Sequence, residues 1–83
     1  MAGSISCTVV SPERPLFEGE AEHVVVPGAD GELGIYPMHA PLVARLGVGV
    51  VRLHKSLHDV ESFATRGGFV RISDDEMTLL VTE

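Results

Sequence analysis

Along residues 4–11, Ile5, Cys7 and Val9 alternate with Ser6, Thr8 and Val10. This two-residue period is that of a half-buried strand, and the segment from Pro12 to Pro15 ends it as a turn. Glu18, Glu20 and Glu22 recur at every second position opposite Phe17, Ala21 and Val25, whereas a helix would scatter these acids around its axis. They predict a second extended segment that ends at Pro27. Further on, Met77, Leu79 and Val81 alternate with Thr78, Leu80 and Thr82, and a polar cluster at residues 73–76 separates them from residues 69–72. That pattern predicts a terminal hairpin. Residues 50–65 are ambiguous, because Val50, Leu53, Leu57, Val60 and Ala64 fall on a helical stripe. The alternative pairs residues 47–54 with 59–66 around a tip at 55–58, and the β-branched Val48, Val50, Val51, Val60 and Thr65 favour it.

Composition strengthens the strand reading. The 83 residues include 12 Val, 3 Ile and 4 Thr, punctuated by 9 Gly and 5 Pro. With no repeat or linker, residues 1–83 read as one all-β, sandwich-like domain. The length allows a single core of marginal self-sufficiency and excludes a multidomain enzyme. Cys7 is the only cysteine, which excludes a disulfide framework and a zinc ribbon. Six basic residues against 12 acidic ones give a net charge of −6, with no basic cluster to meet phosphates, so nucleic acid is not an expected partner. No Lys or Arg precedes Arg14, and neither a signal nor a transit peptide is expected. Residues 33–44 carry no charge but are too short for a bilayer and are interrupted by Pro37 and Pro41, so no membrane insertion is expected.

Gly28, Gly31 and Gly34 suggest a phosphate cradle. A P-loop needs Lys and Ser or Thr after its last glycine and a dinucleotide fold needs a helix there, and neither follows. These glycines therefore read as a loop that uses positive φ. His39, between Pro37 and Pro41, is presented on an irregular loop where binding residues often lie. Catalysis would require a nucleophile and an orienting carboxylate beside it, yet no Gly-x-Ser-x-Gly elbow exists and Cys7 lies within a strand pattern. His23, His39, His54 and His58 lack a ligand spacing, and His54 and His58 would share a face only in a helix. Asp74, Asp75 and Glu76 resemble a hard-cation cluster, although a tight turn between strands accounts for them. No catalytic residue, cofactor, metal or small-molecule substrate is expected. One other function stays open: an acidic β domain whose only lysine, Lys55, sits at a hairpin tip is how swinging-arm carriers present biotin or lipoate. The flanking His54 and Ser56 are unlike the Met-Lys-Met and Asp-Lys-Ala contexts of such carriers.

The uninterrupted run G-E-L-G-I-Y-P-M-H-A-P-L at residues 31–42 strongly resembles the signature of the epsilon subunit of F-type ATP synthases, the counterpart of the mitochondrial delta subunit. V-V-S-P-E-R-P-L-F-E-G at residues 9–19, V-V-V-P-G-A-D-G at 24–31 and R-G-G-F at 66–69 resemble the same family in the same order. The resemblance implies a ten-stranded β-sandwich of two antiparallel sheets, and it implies strands for residues 50–65. It also implies a non-catalytic rotor part in the central stalk, peripheral on the cytoplasmic face of the bacterial inner membrane or its matrix or stroma equivalent, coupling proton flow to ATP synthesis. By the same resemblance, Asp30 and Glu32 face the basic loops of the c-ring, while Tyr36, Met38, His39 and Pro41 face the gamma subunit. Typical bacterial members continue into a two-helix hairpin that restrains ATP hydrolysis. The expectation here is a sandwich without it.

Overall fold

A computed structural model describes residues 3–83, and among them the alternating pattern becomes nine strands and no helix. They are β1 (Ile5–Val10), β2 (Pro15–Ala21), β3 (His23–Gly28), β4 (Gly31–Ile35), β5 (Leu42–Leu46), β6 (Gly49–Ser56), β7 (Asp59–Thr65), β8 (Gly68–Ser73) and β9 (Glu76–Val81). The hydrogen-bonded order is β2-β1-β9-β8-β5-β3-β6-β7, with β4 on β3. The sheet curls into two layers, β2-β1-β9-β8-β5 and β4-β3-β6-β7. They join where Gly28 pairs with Leu46, and Gly47 N donates to Pro27 O at 2.7 Å. At the opposite margin the rings of Phe17 (β2) and Phe63 (β7) lie 6.3 Å apart.

The inward phase of every strand but β7 supplies the buried core, β2 through Ala21, and Phe63 of β7 packs against it. Ile5, Cys7, Val9, Leu46, Val70, Ile72, Met77, Leu79 and Val81 come from one layer, and Val24, Val26, Ile35, Val51 and Leu53 from the other. Outward positions stay polar or mixed, as expected for sheets solvated on one face. The helical stripe across residues 50–65 is overridden because Val50 and Leu53 point to opposite faces: Val50 is 36% exposed and Leu53 is fully buried. The β6–β7 hairpin turns at Leu57 and His58, shorter than the tip predicted at 55–58.

Three expectations are corrected. Nine strands, not ten, are present among the described residues, within an all-β sandwich. The layers are not wholly antiparallel, since β1 and β9 run parallel, with Cys7 opposite Met77 and Val9 opposite Leu79. The extended segment ending at Pro27 breaks at Glu22 into β2 and β3, which lie in different layers. In the R-G-G-F motif, Gly68 has φ 131°, and a Cβ there would lie 1.8 Å from Leu80 O. Only glycine permits this approach of β8 to β9.

Candidate functional site

The motif at residues 31–42 forms strand β4 and the loop after it, and the residues just before it form the loop at the other end. At one end, Ala29 and Asp30 connect β3 to β4 between the paired Gly28 and Gly31. A Cβ on Gly28 would lie 2.5 Å from Gly31 O, and Gly31 has φ 137°, so the backbone dictates both glycines. The predicted glycine loop is thereby corrected: Gly28, Gly31 and Gly34 are strand residues, and only Gly31 takes positive φ. Asp30 and Glu32 are exposed on this hairpin. Glu32 Oε2 is 3.9 Å from Arg52 Nη1, an open ion pair worth about 0–1 kcal/mol, which leaves the carboxylate exchangeable toward another cation. A groove of about 500 Å³ runs beside it, lined by Asp30, Glu32, Leu33, Leu42 and Arg45 among others.

The other end, between β4 and β5, is irregular because Pro37 and Pro41 withhold backbone donors. His39 N donates to Tyr36 O at 3.2 Å, closing a turn with Pro37 and Met38 at its centre. Met38 has φ 67°. This is the type II pattern, whose third residue is ordinarily glycine, and a side chain there costs about 1–2 kcal/mol. Met38 N donates to Asp75 Oδ1 at 2.6 Å, linking the loop to the β8–β9 turn. In that turn Asp74 and Asp75 have φ 53° and 59°, the type I′ geometry of tight hairpins. His39 Nδ1 lies 2.7 Å from Ala40 O, and since a carbonyl oxygen only accepts, Nδ1 is the donor of this contact. Met38 is 79% and Tyr36 56% exposed. Tyr36, Met38, His39 and Pro41 are thus brought into one loop, at the opposite end of β4 from Asp30 and Glu32.

Two features escaped the sequence. Tyr36, just past β4, stacks on His23 (β3), which stacks on His54 (β6), with ring centroids 4.8 Å and 4.2 Å apart. Burial, then the neighbouring His54, holds His23 below the ordinary histidine value, with Glu22 opposing. The pairing His23–His54 is a cross-strand register, which periodicity within either strand does not encode. The outer face of β5, β8 and β9 also exposes Val43, Phe69 and Leu80 beside Arg45 and Arg71. The adjacent apolar pairs Phe69–Val70 and Leu79–Leu80 were the available signal, because one member of each must face outward.

The remaining candidates disperse. Cys7 is buried, and burial together with Glu20 pushes its thiol up to about 11, which disfavours a thiolate nucleophile. His39 and His58 stand apart from the His23–His54 pair, and no group of three metal-ligating side chains occurs among the described residues. Lys55 is not at a tip. It lies within β6, between Asp59 at 3.5 Å and Glu61 at 3.3 Å, over the ring of Phe17. A lysine held by two carboxylates is poorly disposed to swing.

The family model for the ATP synthase delta/epsilon chain β-sandwich domain matches residues 4–83. An ATP synthase epsilon chain of Desulfitobacterium hafniense is 49% identical over 80 residues, 96% of this chain and 60% of that protein. An epsilon chain of Leptospira interrogans is 40% identical over 79 residues, 95% of this chain and 61% of that one. The chain therefore spans about 60% of the length of these curated relatives. Among solved structures, a chain of the Euglena gracilis mitochondrial ATP synthase superposes with TM-score 0.89 and 18% identity, covering 100% of this chain and 53% of that one. A central-stalk chain of the Tetrahymena thermophila enzyme gives 0.76 and 15%, covering 95% and 63%. At these identities the structural likeness concerns the fold.

Proposed function

We propose that this chain, which belongs to the ATP synthase delta/epsilon β-sandwich family, serves as a non-catalytic coupling block in the central stalk of a proton-translocating F-type ATP synthase. One observation carries the reading. The two exposed ends of β4, a five-residue strand roughly 17 Å long, carry different chemistries: carboxylates at one and apolar and aromatic side chains at the other. Such a block bridges two partners. Asp30 and Glu32 pair with basic side chains of the c-ring loops, while Tyr36, Met38, His39 and Pro41 pack on the gamma subunit, Met supplying adaptable apolar contact.

No chemistry is required of the subunit. A densely packed sandwich resists deformation and transmits torque through its contacts. The subunit is a peripheral part of the membrane-bound enzyme, placed on the cytoplasmic face of the bacterial inner membrane or its organellar equivalent. No helix among the described residues is long and apolar enough to cross a membrane.

Titration of the 83-residue chain into the cognate gamma subunit is expected to give stoichiometric binding with a negative heat-capacity change. Absence of binding would remove the stalk assignment. In the reconstituted enzyme, Glu32→Ala and His39→Ala should each lower assembly or proton-coupled ATP synthesis, and full function in both variants would show that these loops are not the contact sites.

A further inference from the structure

We propose that Asp75, which lies outside the family-like motif, is the positioning residue of the Tyr36–Pro41 loop: its carboxylate holds the Met38 amide and thereby the strained turn that presents Tyr36, Met38 and His39. The partner arm of this inference depends on the reading that this loop meets gamma.

Beyond the stacking of Tyr36 on His23 at its first residue, the loop has few other restraints. Pro37 and Pro41 have no amide hydrogen, and the turn's own hydrogen bond, from His39 N to Tyr36 O, is long at 3.2 Å. Met38 occupies a left-handed position with φ 67°, where the chain on its own would relax to negative φ. The 2.6 Å contact from Met38 N to Asp75 Oδ1 is a charge-assisted hydrogen bond that opposes this relaxation. Asp75 is itself anchored. Its carbonyl accepts from Ser6 N at 2.8 Å, and the Ser73–Glu76 pair closes the turn around it. The carboxylate has only two side-chain torsions, so the loop inherits its position from β1, β8 and β9. A loop already in its bound shape loses less conformational freedom on association, which makes Asp75 a determinant of affinity without itself touching the partner.

Two variants of the full chain test this. Asp75→Gly removes the carboxylate yet keeps a residue that accepts φ 59°, and Asp75→Asn retains an Oδ1 acceptor. The readouts are hydrogen exchange at the Met38 amide, affinity for gamma, and the thermal midpoint. Asp75→Gly should speed Met38 exchange and weaken gamma binding, each by about tenfold. Asp75→Asn should retain most of both, and the midpoint should move little in either variant. Unchanged exchange in Asp75→Gly overturns the proposal, as does faster exchange with undiminished affinity. Equal losses in Asp75→Gly and Asp75→Asn, with a lowered midpoint, indicate a general structural role and overturn it too. If the unmodified chain fails to bind gamma, the stalk reading falls and takes the partner arm with it, while Met38 exchange still decides whether Asp75 holds the loop.

Discussion

The two ends of β4 belong to one continuous motif and are built by opposite means. At the Asp30 end, the main chain does the holding: a strand ladder runs up to the Gly28–Gly31 pair, and the side chains are free to present charge. At the Met38 end the ladder has stopped, and a side chain from a turn 37 residues away does the holding. A charged contact tolerates loose geometry, because Coulomb attraction falls slowly with distance. An apolar contact does not, since dispersion is lost within an ångström of separation. On the proposed reading of the two ends, the loop that has to match a shape is thus the one with a dedicated brace.

The contrast is broken most severely at the main-chain end. Gly28→Ala places a methyl 2.5 Å from Gly31 O and should destabilise the protein by about 1–3 kcal/mol. A scanning-calorimetry midpoint lowered by roughly 4–8 °C per kcal/mol is the signature, and an unchanged midpoint would show that the hairpin is not held by this approach. At the other end, Met38→Gly alone should change stability by no more than about 1 kcal/mol. The relief of left-handed strain is partly offset by the greater freedom of glycine in the unfolded chain. Denaturant titration checks it, and a loss above about 2 kcal/mol would mean that Met38 packs more than its exposure suggests.

Acidification sharpens the comparison further, because Tyr36 stacks on His23 and no imidazole lies at the Asp30 end. His23 is held below 6.5, so on acidification the unfolded chain takes up its proton first. Stability is therefore full above 6.5, declines as the pH falls from there toward the lowered folded value, and levels off below it. Proton spectra of the folded chain should show the Tyr36 ring responding around the lowered folded value of His23 while Gly31 does not, and His23→Gln should flatten the response. A Tyr36 ring unmoved there would mean that the stack does not sense the proton. The smallest effect belongs to Glu32→Gln, which should leave stability within about 0.5 kcal/mol in denaturant titration, while the proposed c-ring contact, if it is made, should weaken in the reconstituted enzyme.

Much of this architecture was legible in the sequence. Alternation located β1 and β9, the polar cluster at 73–76 set β8 apart as the other arm of the terminal hairpin, and β-branched residues tilted 50–65 toward the β6–β7 hairpin. The motif at 31–42 identified the family. What stayed hidden was non-local. β4 and β5 are short strands among glycines and prolines, and neither has a side-chain period long enough to register. The break at Glu22 was hidden because the inward phase shifts there, from Ala21 to Val24 and Val26, at the start of a run of three valines that shows no single period. The Asp75–Met38 bond and the Tyr36–His23–His54 stack each join residues that no periodic pattern relates. Asp74, Asp75 and Glu76 did read as turn residues, but sequence could not show that one of them also braces the loop across from it.

The parallel pairing of β1 with β9 bears on the order in which the protein can assemble. As synthesis proceeds, Ile5–Val10 emerges early and can zip onto β2 at once, yet its second edge has no native neighbour until Glu76–Val81 has left the ribosome. Through that interval the nascent chain displays an apolar strand edge of the kind that recruits other strands. Any holding factor that attends this protein's birth therefore has a defined task and a defined moment of release: to shield β1 until the last strand arrives and the sheet is sealed from its middle.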